Sequence, residues 1–222
     1  MGLIANQNHV AIAIDGPAAS GKSTIARMLA KKLGLVMVNS GEMYRAVTWK
    51  ILEADIDPRD EPAIVSALDV MELQCGINGC FSTIAVDGRL LRDELRSENV
   101  NRSVSVVSAI ALVRKRLVQL QREYLQSTSL VMEGRDIGSV VFPETPYKIY
   151  VDASADVRAA RRLAEGVTDS VASRDLADSS RETAPLVVAD GAVVLDNSHH
   201  TVDSAVAAAL EILRGQGLRW SE

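Results

Sequence analysis

Residues 11–33 read AIAIDGPAASGKSTIARMLAKKL and carry the strongest structural signal in the chain. A short apolar run opens the stretch, and a turn containing two glycines follows it. The remainder repeats its apolar residues at helical spacing up to Leu33, with Gly34 as the stop. This order predicts a strand, a tight turn and an amphipathic helix.

The turn fits G-x-x-x-x-G-K-[ST], the motif of a phosphate-binding loop. Its glycines let backbone N–H groups point at phosphate oxygens, and the following helix directs its positive end to the same place. Lys22 adds a charge for the outer phosphates, and Ser23 offers a hydroxyl to Mg²⁺. We therefore expect ATP and Mg²⁺ here, with Ser23 as the metal residue. The expected ATP contacts are Gly16, Pro17, Ala18, Ala19, Ser20, Gly21, Lys22, Ser23 and Thr24.

The composition limits the remaining classes of function. Of 222 residues 47% are hydrophobic but only 4% aromatic, which predicts an aliphatic core in one α/β domain with an insertion, or in two small lobes. A net charge of −5 argues against a general nucleic-acid partner. No apolar run approaches the roughly 20 residues of a membrane helix, and the N-terminus lacks a signal-peptide layout. We expect a cytoplasmic protein with free thiols at Cys75 and Cys80.

A second strand is predicted at 35–38 and a second helix at 42–54. Two parallel strands joined by a helix form a βαβ unit, in which ligands bind beyond the carboxyl ends of the strands. We therefore expect Ser40, Tyr44 and Arg45 to lie on the same rim as the phosphate loop.

Residues 55–124 interrupt this pattern and are predicted to form an inserted lobe, with the core at 1–54 and 125–222. Strands at 70–75 and 81–86 are joined by Asn78-Gly79, a type I′ hairpin signal. A long helix follows at 101–125, with a weak point near 109–112. Ser105 and Arg114 would face opposite sides of a continuous helix, so they converge only if it bends or breaks there.

The second half of the chain leaves several alternatives open. An acidic residue that assists Mg²⁺ is expected at Asp15, Asp136 or Asp152, and the spacing does not decide among them. Arg158 and Arg162 share one helical face, which indicates either an anion between them or a solvated basic face. The last strand lies at 187–188 or at 193–195, and Thr201 caps the final helix.

Six segments occur in order: AIDGPAASGKST, NSGEMYRA, MEGRDIGSVVFP, RAARR, SRDLADSSRETAPL and VVLDNS. Together they resemble the bacterial cytidylate kinases, over about residues 10–213. The resemblance implies a doubly wound, five-stranded parallel sheet of the phosphate-loop kinase type with a small inserted antiparallel β lobe. It also implies a monomer that phosphorylates CMP and dCMP with MgATP, in pyrimidine nucleotide metabolism.

The resemblance further implies roles for single residues. Around the CMP phosphate it places Ser40, Arg45, Arg135 and Arg181. At the cytosine edge it places Ser105, Arg114 and Asp136, and at the sugar hydroxyls Arg174 and Asp178. The residues expected to act in catalysis all carry positive charge: Lys22, Arg158, Arg162 and Arg181. We expect no catalytic base, because phosphoryl transfer depends on positioning and charge stabilisation.

One departure from the family concerns the lid over ATP. The stretch from Arg162 to Arg174 is about ten residues shorter than is usual, which implies a shortened lid near 163–173. The alternatives are a kinase for UMP or a pantoate-type acid, and a weakly active or silent nucleotide-binding relative. A GTPase-type switch would need an N-K-x-D motif, and the sequence contains none.

Overall fold

The computed structural model describes residues 9–164, 175–176, 178–181 and 183–220. In this part of the chain the strands are β1 Ala11–Asp15, β2 Val36–Asn39, β3 Leu73–Asn78, β4 Phe81–Val86, β5 Arg89–Leu90, β6 Leu130–Gly134, β7 Lys148–Asp152 and β8 Val193–Asp196. The α-helices are α1 Lys22–Leu33, α2 Ser40–Glu53, α3 Glu61–Val70, α4 Glu98–Val107, α5 Ala111–Ser127, α6 Ala155–Ala164 and α7 Val202–Gly215.

Five strands form a parallel core in the order β2-β6-β1-β7-β8. The register places Asp15 beside Gly134, and Glu133 beside both Ile14 and Asn39. Because these positions lie at the carboxyl ends of their strands, the segments that follow β1, β2 and β6 all emerge at one edge. The predicted five-stranded parallel sheet is confirmed.

Helices cover both faces of this sheet, as predicted for a doubly wound fold. On β1, Ile12 and Ile14 point to the face where α1 and α7 pack, and Leu29 and Val206 belong to the same buried cluster. Ala13 points to the opposite face and belongs with Tyr124 of α5 to a second cluster. The period-2 alternation of one buried strand thus serves two separate helix layers.

The antiparallel strands extend the sheet beyond its β2 edge. β4 pairs parallel with β2 at Met37 and Phe81, and it pairs antiparallel with β3 and β5. The predicted turn at Asn78-Gly79 is wrong by one residue. Asn78 pairs with Phe81 in the ladder, so Gly79 and Cys80 connect the strands, and of these only Gly79 has a positive φ. The type I′ turn would require two.

Two other open points are decided. The helix weak point is real, because α4 ends at Val107 and α5 begins at Ala111. The last strand is β8 at 193–196, and Thr201 caps α7 by accepting a hydrogen bond from the Ser204 amide at 3.2 Å. The predicted short lid lies almost entirely in 165–174, outside the described residues.

Candidate active site

The phosphate-binding loop between β1 and α1 depends on its two glycines. Gly16 has φ 152°, and a Cβ atom there would lie 2.0 Å from the Val151 carbonyl oxygen. Gly21 has φ 93°, and a Cβ atom there would lie 2.4 Å from Asn197 Nδ2. The loop is therefore packed directly against the carboxyl ends of β7 and β8, where only glycine fits.

Two side chains that the sequence analysis did not select hold the loop from outside. Arg161 Nη1 donates to the Ser20 carbonyl at 3.0 Å, and Asn197 Nδ2 donates to the same oxygen at 2.8 Å. In a trans peptide the C=O and the next N–H point in opposite directions. The Gly21 N–H consequently points away from Arg161 and Asn197, as anion binding by the loop requires.

Lys22 is held inside its own loop. Its side chain is buried, and Nζ donates to the Pro17 carbonyl at 2.9 Å. Burial, assisted by the positive charge of Arg135, lowers the pKa of Lys22 to about 7, although Glu133 and Asp178 act in the opposite direction. The Pro17 carbonyl thus fixes the Lys22 side chain within the loop, while burial disfavours the charged form of its amine.

The carboxylate that contacts the predicted metal residue is Glu133, which the sequence analysis missed. Ser23 Oγ donates to Glu133 Oε2 at 2.8 Å, and Ser40 Oγ donates to the Glu133 carbonyl at 2.8 Å. Glu133 is buried at the carboxyl end of β6, next to the strand that leads into the loop. An acid at that end of a predicted strand is a readable signal.

The three aspartates considered for this role have other partners. Asp15 accepts hydrogen bonds from the amides of Ile137 and Gly138 at 2.8 and 2.7 Å, and burial raises the pKa of Asp15 to about 6. Asp136 pairs with Arg114. Asp152 accepts from the Ala153 amide at 2.8 Å. None of these contacts involves Ser23, and Asp15 instead fixes the turn after β6.

The predicted base-reading residues meet in a buried pair. Arg114 Nη2 donates to Asp136 Oδ2, and both side chains are at most 4% exposed. The Arg114 guanidinium lies 5.3 Å from the centroid of the Tyr44 ring, and burial raises the pKa of Tyr44 to about 12. Ser105 lies on α4 before the break, and its carbonyl accepts from Ser108 Oγ at 3.1 Å, while the Ser108 carbonyl accepts from Arg114 Nη1 at 3.0 Å.

Asp178 joins two of the predicted phosphate-binding arginines. Arg135 Nε donates to Asp178 Oδ2 at 2.8 Å, and Arg181 Nη2 donates to Asp178 Oδ1. Both side chains are largely buried, so this cluster is well shielded from water. The structure therefore brings Arg135, Asp178 and Arg181 together, while the predicted partner Arg174 lies outside the described residues.

Arg158 on α6 reaches the phosphate loop. Its Nη1 atom contacts the Ala18 carbonyl at 3.4 Å and pairs with Asp175, whose Oδ1 accepts from the Ala18 amide at 3.4 Å. A carboxylate thus lies against an N–H group of the loop. Arg162 is on the same helix one turn further on, as predicted.

Arg45, on α2, contacts residues just before and within α4. Its Nη1 atom donates to the Leu95 carbonyl at 2.9 Å and to Asn101 Oδ1 at 2.6 Å. These two contacts hold the Arg45 side chain near the start of α4, and the residue itself lies on α2 with the buried Ser40 and Tyr44.

A parallel sheet whose first strand enters a phosphate loop, with a serine–carboxylate contact and several arginines at the same edge, defines a phosphate-loop kinase. The family model described as "Cytidylate kinase" matches residues 12–215. The chain belongs to the cytidylate kinase family.

Named relatives agree over nearly the whole chain. A cytidylate kinase of Caldicellulosiruptor saccharolyticus is 37% identical over 212 residues, covering 90% of this chain and 94% of its own. One of Geobacillus thermodenitrificans is 38% identical over 218 residues, covering 93% and 97%. A cytidylate kinase of Clostridium botulinum (strain Loch Maree / Type A3) is 37% identical over 217 residues, covering 93% and 98%.

Solved structures support the fold alone. A sugar kinase from Janibacter sp. HTCC2649 gives a TM-score of 0.51 at 16% identity, covering 93% of this chain and 95% of its own. A gluconokinase from Sinorhizobium meliloti 1021 gives 0.51 at 14% identity, covering 95% and 94%. Among the described residues, no helix is both long enough and apolar enough for a membrane span.

Proposed function

We propose that this protein transfers the γ-phosphate of MgATP to CMP and dCMP, giving ADP and CDP or dCDP. The observation that carries the proposal is the buried Arg114–Asp136 pair at the phosphate-loop edge of the sheet. Asp136 directly precedes the turn that Asp15 holds, and Asp15 is the last residue before the loop. The named cytidylate kinases among its relatives support the same reaction.

The ATP side of the site would use residues 16–24. Loop N–H groups and Lys22 would bind the phosphates, and arrival of their charge would restore the full charge of the lysine. Ser23 would hold Mg²⁺, with Glu133 beside it as the assisting carboxylate, because a hydroxyl and a carboxylate are hard oxygen ligands. When bound, Mg²⁺ would supply neutralisation of the phosphate charge.

The Arg114–Asp136 pair is matched to cytosine. That base presents an amine donor beside two acceptors, so Asp136 would accept from the amine and Arg114 would donate to the acceptors. Uracil presents a carbonyl where cytosine has the amine. That carbonyl would face the Asp136 carboxylate with no hydrogen to donate between the two oxygens. A site with buried polar groups rejects such an analogue strongly, because those groups are left unpaired.

The remaining positive groups would balance the two facing phosphates. Ser40, Arg45, Arg135 and Arg181 are proposed at the CMP phosphate, and Arg174 with Asp178 at the sugar hydroxyls. Arg158 and Arg162 are proposed near the transferring phosphoryl group. No residue is assigned as a base, because this transfer is driven by positioning and charge.

We also propose the wider organisation that the sequence indicates. Residues 1–54 and 125–222 would form the kinase core with a short lid, and 55–124 the inserted lobe that binds the monophosphate. The protein would act as a cytoplasmic monomer on a small-molecule substrate, without a nucleic-acid or membrane partner.

The test measures ADP formation in a coupled assay with CMP, dCMP, UMP, AMP and GMP as separate acceptors. We expect turnover with CMP and dCMP that requires Mg²⁺ and exceeds turnover with the others. Asp136→Asn should lower kcat/KM for CMP about 100-fold, because one buried charged hydrogen bond is lost. The ratio of kcat/KM for CMP to kcat/KM for UMP should also decrease. Asp69→Asn, at an exposed position, is the control. Turnover with UMP or AMP but none with CMP would overturn the proposal.

A further inference from the structure

Ser108 lies in the break between α4 and α5 and is 4% exposed. Its amide bonds to the Val104 carbonyl at 2.9 Å, which ends α4. Ile110 is extended, with φ −66° and ψ 122°, so the Ser108 carbonyl does not continue a helical ladder. This residue therefore has polar groups available for side chains that arrive from other elements.

Those groups contact both halves of the acceptor site. The Ser108 carbonyl accepts from Arg114 Nη1 at 3.0 Å. The Ser108 hydroxyl donates to the Ser105 carbonyl at 3.1 Å and accepts from Arg181 Nη2 at 3.0 Å. A hydroxyl can donate once and accept at the same time, so both bonds are compatible.

The two arginines belong to different parts of the proposed site. Arg114 pairs with Asp136, where the base would lie, and Arg181 pairs with Asp178, beside Arg135, where the phosphate would lie. In the described chain each arginine also has a buried Nε atom without a hydrogen-bond partner. Each thus keeps a donor for a ligand while Ser108 fixes its outer nitrogen.

We propose that Ser108 is a positioning residue that fixes the position of the Arg181 guanidinium relative to the Arg114–Asp136 pair, where the base would lie. This inference rests on the proposed function, because it concerns how one bound CMP would contact both Arg114 and Arg181. Its carbonyl is anchored to Arg114, and its hydroxyl restrains Arg181 at a fixed distance from that anchor. Ser108 then holds both Arg114, at the base, and Arg181, at the phosphate. A CMP molecule that contacts both arginines is thereby oriented for phosphoryl transfer.

The test uses a double-mutant cycle with steady-state kinetics. Ser108→Ala removes only the hydroxyl, since the carbonyl bond to Arg114 is retained. We expect kcat/KM for CMP to fall about 10-fold, because hydrogen bonds to charged groups are among the stronger ones. KM for ATP should be unchanged. Ser66→Ala, which removes an exposed helical hydroxyl bonded to the Pro62 carbonyl, is the matched control.

The cycle distinguishes positioning from simple structural support. In an Arg181→Met background, Ser108→Ala should change kcat/KM by less than about 2-fold. In an Arg114→Met background, where the Ser108 carbonyl loses its anchor, the loss should be smaller than the roughly 10-fold loss in the otherwise unmodified protein. Where residual rates are too low, the same cycle is measured as CMP affinity by calorimetry. A full 10-fold effect in the Arg181→Met background, or no difference from Ser66→Ala, would overturn the proposal. Absence of CMP turnover in the unmodified protein would instead contradict the proposed function.

Discussion

Binding of MgATP at pH 8 should make the protein take up a proton at Lys22. This lysine is buried against the Pro17 carbonyl, and burial lowers its pKa to about 7. Phosphate oxygens beside the ammonium favour its charged form and should return the pKa towards its ordinary value. Because the pKa rises on binding, the bound protein holds more protons than the free protein.

The size of the effect follows from the two protonation states. With a pKa of about 7, Lys22 is about one-tenth protonated at pH 8 and almost wholly protonated once its pKa exceeds 10. Uptake should therefore approach about 0.9 proton per nucleotide at pH 8, and the contribution of Lys22 alone should fall to about 0.1 at pH 6. Phosphate groups with a pKa near 6 are already ionised at pH 8 and contribute little.

Isothermal titration calorimetry measures this uptake directly. Titrations at pH 8 in two buffers of different ionisation enthalpy give apparent binding enthalpies whose difference is proportional to the protons exchanged. Lys22→Met keeps much of the side-chain volume without the charge. This variant should abolish the dependence of the apparent binding enthalpy on the buffer. Lys31→Met, at an exposed position on the same helix, should leave it intact. Identical enthalpies in both buffers, or uptake that persists in Lys22→Met, would refute the reasoning.

Three further predictions concern other parts of the site. Glu133→Gln should raise the Mg²⁺ concentration for half-maximal activity about 10-fold, as supporting carboxylates do, whereas the exposed Glu144→Gln should not. Asp175→Asn should tighten ATP binding up to about 5-fold in calorimetry, because a partly exposed ion pair of about 1 kcal/mol no longer competes; unchanged affinity would contradict this. Gly16→Ala should lower the free energy of unfolding in urea by about 3 kcal/mol, and Gly79→Ala, with open space around it, by about 1 kcal/mol.

The phosphate loop and the parallel core were predictable because their determinants are local. Motif spacing, alternating apolar residues and helix-end signals lie within short windows, and a βαβ order leaves few topologies. The helix break before Arg114 was predictable as a requirement of the expected site, since Ser105 and Arg114 would face opposite sides of a continuous helix. The exact hairpin turn was not, because Met37 of β2 bonds the Cys80 carbonyl at 2.8 Å, a contact made by a different strand.

Glu133 and Ser108 escaped prediction for a related reason. Ser23 and Glu133 are 110 residues apart, and only the register of β6 against β1 brings them together. Ser108 and Arg181 are 73 residues apart, and their contact requires the helix break. Sequence spacing indicates which residues share one element, whereas these pairs depend on how separate elements are placed.

The carboxylates in the site explain how several arginines can lie close together there. Asp178 lies between Arg135 and Arg181, and Asp175 lies between Arg158 and the loop. Unpaired guanidinium groups would repel one another in a buried cluster, so these acids neutralise the cluster. A phosphate must then compete with a carboxylate of the protein for the same donors. Weak anions that cannot form several charged hydrogen bonds at once are disfavoured by that competition, whereas a phosphate, with three strong acceptor oxygens, can prevail.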